Sequence, residues 1–323
     1  MHSPPHPATA PEIVIPSGKE NLSEATRLRP KQRWRLWIAG CFAIVLVAAF
    51  AKPLLTLTSY VARSQLHSYI LLVPFVSAYL LYQRRDQVPK NYVTDLGLAI
   101  AALAVGVSVL VLTYSLGLAG RVPVIGDRLT LLTTSFLCCL AAGGFFFLGR
   151  AWMRAAAFPL AYLIFMIPKP NAMADALEQA SSLASAEMAN VFFHLSGVPF
   201  VREGQIFQLP NITIEVAQEC SGIRSSVVLF ITSILAANMF LKTTWRRLAL
   251  VAIVIPLGII RNGFRILVIG LLCVHVGPQM IHSVIHRRGG PLFFVLSLLP
   301  LLFFLWFLRK SDKAAGDRQV SAT

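Results

Sequence analysis

One cysteine, two arginines four residues apart and two histidines four residues apart are the groups in this chain whose types and positions can do chemistry together. Cys220 sits in Glu219-Cys220-Ser221-Gly222-Ile223-Arg224-Ser225-Ser226, after a long polar segment and before an apolar run. That context puts a thiol at a membrane boundary, beside a helix N-terminus and near an arginine, and such surroundings favour the thiolate, which is the nucleophile. Arg224 lies four residues on, so in a helix it shares a face with Cys220. Arg261 and Arg265 share a helix face in the same way, with Asn262 in the same turn. An arginine inside a membrane span costs about 2.5–3.5 kcal/mol on insertion scales, so function is the default reading and snorkelling to headgroups the plain alternative. Its planar donors suit a carboxylate or a developing oxyanion. His282 and His286 can exchange protons with a thiol or a leaving amine. Spacing of this kind also occurs in zinc sites, but no Glu follows the first histidine and no third ligand is in view, so no metal or other cofactor is assigned. The plain readings of the remaining groups are a structural cysteine and interfacial histidines. His67 and His275 are read as supporting or incidental.

These groups must be held by a membrane scaffold. The chain is 56% hydrophobic and 13% charged with mean hydropathy +0.68, the profile of a polytopic membrane protein. Its net charge of +15 suggests nucleic acid at first sight, but the basic residues cluster in short loops between apolar runs, which is how membrane topology is encoded. Of five cysteines, Cys41, Cys138, Cys139 and Cys273 lie in apolar runs and read as small hydrophobes, and no disulfide framework is indicated. Residues 1–35 form a disordered basic tail on the cytoplasmic side, 36–308 the membrane domain, and 309–323 a cytoplasmic C-terminal tail. No cleavable signal peptide is evident, so the first helix is expected to act as its own insertion signal.

The expected fold is all-α, with eight membrane helices near 36–57, 66–82, 96–118, 129–148, 153–168, 222–241, 248–273 and 290–308. The basic groups at 27–35, 84–90, 150–154, 242–247 and 309–310 then fall on one side, which the positive-inside rule makes cytoplasmic, along with both termini. Arg287 and Arg288 are the exception, on the outer side beside the histidines. The sizeable extramembrane piece is 169–221, expected to be a small extracytoplasmic helix and hairpin cap. An apolar stripe of Met173, Leu177, Ala180, Leu183 and Ala184 predicts an amphipathic helix on the outer leaflet. Alternation around Glu203-Gly204 predicts a hairpin, and Ile212, Ile214 and Val216 alternate likewise. Cys220, the Arg261–Arg265 pair and His286 all reach the same outer depth in this topology, although their chemistry played no part in deriving it.

At these residues the chain resembles the exosortase/archaeosortase family. Glu219–Ser226 looks like its Cys-Ser-Gly-Ile-Arg-Ser block, Asn262 and Arg265 match its Asn-x-x-Arg block, and His286, Gly290 and Phe294 fit its third block. The helix end Met166-Ile167-Pro168-Lys169-Pro170 and the segment Gly197-Val198-Pro199 are also similar, and the resemblance spans roughly 60–308. It implies a membrane cysteine transpeptidase or protease with Cys220 as nucleophile, Arg265 as electrostatic stabiliser and His286 as general acid/base. Arg261 rivals Arg265 for its role, and His282 rivals His286. The implied partners are secreted proteins with a tripartite C-terminal tail (recognition motif, membrane helix, basic end), an unidentified acceptor and the lipid bilayer. The implied location is the bacterial cytoplasmic membrane, with the site facing the periplasm. The competing classes are a non-catalytic export or assembly factor, in which Cys220 is structural, and a transporter, which predicts polar helices and internal repeats that the sequence lacks. A membrane zinc protease is a weaker third.

Overall fold

The computed structural model describes residues 30–320 except 65, 90–91, 122–123, 211, 217–221, 278 and 281–289. In chain order the elements are α1 Pro30–Ala49, α2 Ala51–Arg63, a 3-10 turn Ser68–Leu72, α3 Val73–Gln83, α4 Leu96–Leu118 and α5 Ile125–Phe147. Then follow α6 Arg150–Ala155, α7 Ala157–Tyr162, a 3-10 turn Leu163–Met166 and the long α8 Asn171–Ser196. Three short strands, β1 Val201–Glu203, β2 Ile206–Leu209 and β3 Ile212–Glu215, lead to α9 Ile223–Phe240, α10 Thr244–Ala252, α11 Val254–His275 and α12 Gly290–Val320.

The fold is mostly helical and multi-pass. Among the described residues five helices are long and apolar enough to cross a membrane: α4, α5, α9, the joined α10–α11 from Thr244 to His275, and Leu292–Ser311 of α12. The bent pair α1–α2 makes a sixth if counted as one span. The expected segments 66–82 and 153–168 are present as shorter apolar helices, Ser68–Gln83 and Ala157–Met166. The tails also differ from expectation. Helix α1 begins at Pro30, within the segment read as a disordered tail, and Arg35 Nη1 donates to the Tyr92 carbonyl at 2.8 Å. Helix α12 continues past 308 to Val320. Residues 1–29 lie outside the described part of the chain.

Three breaks share one cause. The chain bends by 68° between α1 and α2 at Phe50, and further breaks fall at Ala156 and Ile253. Each lies three residues before a proline: Pro53, Pro159 and Pro256. A proline has no N–H for the carbonyl four residues back and its ring crowds that carbonyl, so the helix opens there. Pro300 lies inside α12, which continues through it.

Polar groups collect at two opposite ends. At one, Arg84 Nη2 donates to Asn238 Oδ1 at 2.5 Å and its guanidinium lies over Phe158, Arg309 lies over Phe240, and Arg246 Nη2 reaches Ser311 Oγ at 3.3 Å. Val93 bridges to Gly149, a contact between residues far apart in the chain. At the other, Lys169 Nζ donates to Tyr69 Oη at 3.0 Å, the Asn171 N–H donates to Asp127 Oδ1 at 2.8 Å, and Thr130 Oγ1 donates to the Pro168 carbonyl at 2.9 Å. Loops that the charge pattern assigns to opposite sides therefore gather at opposite ends.

The strands form one antiparallel meander, β1-β2-β3, with Arg202 opposite Phe207 and Phe207 opposite Ile214. The hairpin turns at Gly204-Gln205, one residue past the expected Glu203-Gly204, with Glu203 paired to Ile206. Phe207, Leu209, Ile214 and Val216 pack on Ala186, Ala189 and Phe193 of α8 and Ile266 of α11. The buried face of α8 is Ala174, Ser182, Ser185, Ala186, Ala189 and Phe193. Met173, Leu177 and Leu183 of the expected apolar stripe lie on the exposed face of α8. Small residues prevail because they let α8 and α11 close up: a Cβ on Gly263 would sit 2.7 Å from Met188 Cγ.

Candidate active site

Helix α9 cannot begin before Ile223, because Gly222 adopts φ 70°, ψ 5°, a left-handed conformation that ends the helical path. A side chain there is excluded twice over. Besides the backbone cost, a Cβ would lie 2.7 Å from Asn262 Oδ1 and 2.8 Å from Asn262 Cγ. Asn262 is itself 2% exposed, on the face of α11 turned toward this cap.

The Gly222 carbonyl is a collecting point for donors. It accepts from the Ser226 N–H at 3.1 Å, Ser225 Oγ at 3.0 Å, Ser226 Oγ at 3.2 Å and Arg261 Nη2 at 3.0 Å. The same Arg261 nitrogen donates to Ser226 Oγ at 3.1 Å. Arg261 is only 6% exposed, and its Nη1 has no hydrogen bond among the described residues. A buried guanidinium thus ties α11 to the first turn of α9, two residues past Cys220, through neutral acceptors. Gly258 makes the approach possible, since a Cβ there would fall 2.7 Å from Ser226 Oγ. Arg265 lies one turn beyond Arg261 and is partly exposed.

Cys220 belongs to 217–221, which lies outside the described residues, but both neighbours of that segment are fastened. On the upstream side Ser182 Oγ of α8 donates to the Val216 carbonyl at 2.8 Å, and the Val216 N–H donates to the Gln205 carbonyl at 3.0 Å. On the downstream side Gly222 is held by Arg261. His282, His286, Arg287 and Arg288 also lie outside the described residues. The predicted group is therefore visible in part: the structure brings Arg261 and Asn262 to the start of α9, with Arg265 on the next turn. The one-face relation expected between Cys220 and Arg224 involves a residue outside the described part of the chain. Helix α9 starts at Ile223 after the left-handed Gly222, and Arg224 is exposed in its first turn.

Sequence reasoning missed Ser226 and Ser182, whose side chains fasten the backbone on either side of the cysteine segment. The Gly-x-x-Ser-Ser spacing at 222–226 carried a signal, being a left-handed cap followed by hydroxyls able to bond back to its carbonyl. His67, read as incidental, is buried between α2 and α3 with Nδ1 3.0 Å from Ser64 Oγ. Burial, with Lys169 nearby, pulls its pKa down from 6.5 to about 4, so its ring is neutral at physiological pH.

The family model described as transmembrane exosortase (Exosortase_EpsH) matches residues 58–303, more than three quarters of the chain. No curated protein and no solved structure matches it. The chain belongs to the transmembrane exosortase family, whose members are membrane-embedded sorting transpeptidases acting on secreted proteins with sorting signals.

Proposed function

We propose that this exosortase cleaves the C-terminal tails of secreted proteins through a Cys220 thioester and passes the acyl group to an acceptor. The Cys220 thiol gives its proton to His286, and the thiolate attacks a backbone carbonyl of the tail. The tetrahedral intermediate carries a negative oxygen, which Arg265 stabilises. Collapse breaks the C–N bond; His286 returns the proton to the departing amine, and the acyl group stays on sulfur. A second nucleophile, an amine or water, loses its proton to His286 and displaces the thiolate. An amine completes transpeptidation and water completes proteolysis.

The observation that carries this reading is the Arg261–Gly222 tie. It fastens the chain two residues from the proposed nucleophile to the helix bearing the proposed oxyanion stabiliser. It also separates the two arginines. Arg261 spends Nη2 on the Gly222 carbonyl and Ser226 Oγ, which suits a positioning residue, whereas Arg265 is one turn on and more open. Asn262, packed on Gly222, belongs with Arg261 in positioning.

In this reading the chain has eight traverses in the bacterial inner membrane, both termini cytoplasmic and the site toward the periplasm. Supporting it, the short Ser68–Gln83 segment joins the end holding Lys169–Tyr69 to the end holding Arg84–Asn238. Residues 150–169 join the same two ends. A 3-10 turn rises about 2.0 Å per residue against 1.5 Å in an α-helix, which lengthens both short segments.

The test is processing of a reporter with a tripartite tail in cells carrying Cys220→Ala, Cys220→Ser, Arg265→Ala or His286→Ala, with membrane levels checked by blot. The expected result is loss of processing at normal protein level, with a covalent adduct trapped only when Cys220 is present. Normal processing by Cys220→Ala would refute the thiol mechanism and favour an export or assembly role.

A further inference from the structure

A groove of about 710 Å³ opens between the N-terminal half of α8, the stretch Ile164–Pro170, the first turns of α9 and the start of α11. Its walls are apolar, with Met173 and Leu177 on one side and Val227, Phe230 and Ile259 on the other. Two polar groups matter at its head. Ser226 lines it and at the same time takes the hydrogen bond from Arg261, so the groove runs into the candidate active site. Lys169 lines it as well, with Nζ on Tyr69 Oη at 3.0 Å and over the Tyr69 ring at 5.1 Å.

The charge at the head of the groove is unmatched. Lys169 makes no ion pair among the described residues, and the nearby carboxylate of Asp127 accepts from the Asn171 N–H instead. His67, which also feels the Lys169 charge, is held neutral. Burial lowers the Lys169 pKa, a cost that an anion beside it would relieve. The stripe Met173, Leu177, Ala180 and Ala184 of α8, left unpacked by the fold, is one wall. From Ile223 to Phe230 the α9 wall covers about two helical turns.

Resting on the thioester reading above, we propose that this groove seats the sorting tail itself: the outer end of its apolar helix lies along α8 and α9, and a carboxylate just preceding that helix docks on Lys169. A carboxylate at Lys169 fixes the register of the tail, so the same backbone carbonyl is presented beside the Ser226–Gly222 corner each time. The groove thereby makes Lys169 a specificity residue and Leu177 part of the helix seat.

Two measurements on the full chain in membranes test this, using a reporter that the unaltered protein processes and that has one glutamate before its apolar helix. The first is charge reciprocity. Lys169→Ala lowers processing about tenfold or more, the scale of a lost charge-assisted hydrogen bond; Lys169→Glu abolishes it; and a tail with lysine in place of the glutamate is processed by Lys169→Glu in preference to the unaltered chain. The second is photocrosslinking in the Cys220→Ala background. A benzoylphenylalanine at position 177 captures the tail, whereas one at exposed Val107 on α4 does not. Absence of reciprocity at normal membrane levels, capture of phospholipid alone at 177, or equal capture at 107 would each overturn the assignment. If instead Cys220→Ala processes the tail normally while position 177 still captures it, the thioester reaction falls and the groove stands.

Discussion

Arg261→Met, set against Arg265→Met, separates a positioning arginine from a reacting one. Arg261 Nη2 makes two charge-assisted hydrogen bonds, at 3.0 Å to the Gly222 carbonyl and 3.1 Å to Ser226 Oγ. Bonds of this class contribute about 1.5–3 kcal/mol each. Neither acceptor is orphaned by the change, since the carbonyl keeps the Ser226 N–H and two hydroxyls and Ser226 Oγ keeps the carbonyl. The desolvation of a guanidinium that is 6% exposed is also removed, so the net loss of stability stays near 2 kcal/mol. The kinetic effect is larger than that figure suggests, because a shift of about 1 Å in a reacting group can cost about 100-fold. Arg265→Met should cost about 10²–10³ in rate, as for a lost oxyanion donor, with little change in stability. The assays are reporter processing, the midpoint of thermal aggregation of solubilised protein, and the alkylation rate of Cys220 as a function of pH. Arg261→Met is expected to move all three and Arg265→Met chiefly the first. An Arg261→Met protein with unaltered melting and alkylation but no processing would place Arg261 at the reacting atoms and refute the argument; full processing would refute it equally.

Three further expectations follow from the same contacts. Gly222→Ala combines a left-handed backbone costing about 1–2 kcal/mol with a Cβ 2.7 Å from Asn262 Oδ1, so processing falls at least tenfold; Gly222→Ala with Asn262→Ala recovers part of that loss if the contact contributes, and none if the backbone alone does. Gly263→Leu drives α8 off α11, since even a Cβ meets Met188 Cγ at 2.7 Å, and membrane level and protease resistance of 169–216 fall together, whereas Leu183→Ala on the exposed face changes neither. Below pH 6.5 the unfolded chain protonates His67 while the folded chain resists until about pH 4, so stability present above pH 6.5 is lost as pH falls through that window, by about 3 kcal/mol at most. The thermal midpoint between pH 7 and pH 4.5 reads this, and His67→Gln should flatten the slope.

Segments whose signal is local were legible in the sequence. The start of α9 was expected at 222 and lies at Ile223, and the β-hairpin turn was expected at Glu203-Gly204 and lies at Gly204-Gln205. Short basic clusters gave each loop an expected side, and two loops given the same side meet in the fold where Arg246 reaches Ser311. What escaped was whatever depends on a partner. Pro53, Pro159 and Pro256 were visible, yet uniform apolarity around them made each run read as one helix, and the breaks at Phe50, Ala156 and Ile253 come from a missing N–H that a hydropathy pattern does not register. The role of Arg261 escaped likewise, because its spacing to Arg265 says they share a face and says nothing of Gly222, thirty-nine residues earlier.

The face that α8 buries matters for function. A water-soluble helix buries its largest apolar residues, and by that rule Met173, Leu177 and Leu183 should be the core. On the outer leaflet the rule loses force, since a stripe that faces the membrane gains little by leaving one hydrocarbon surface for another. Close packing then decides, and α8 sets Ser182, Ala186 and Ala189 against α11, with Gly263 receiving Met188. That choice frees the bulky stripe to face a groove and leaves Ser182 to bind the Val216 carbonyl just upstream of the cysteine segment. One helix therefore fastens the chain that carries the proposed nucleophile and offers an unfilled apolar wall beside it. A tail helix that docks on Leu177 meets a surface whose position relative to Gly222 is set by the same rigid element, so seating the substrate and aiming the thiol are coupled. Weakening the Ser182 contact with Ser182→Ala should accordingly lower processing while leaving tail capture at position 177 intact, whereas Leu177→Trp should abolish processing.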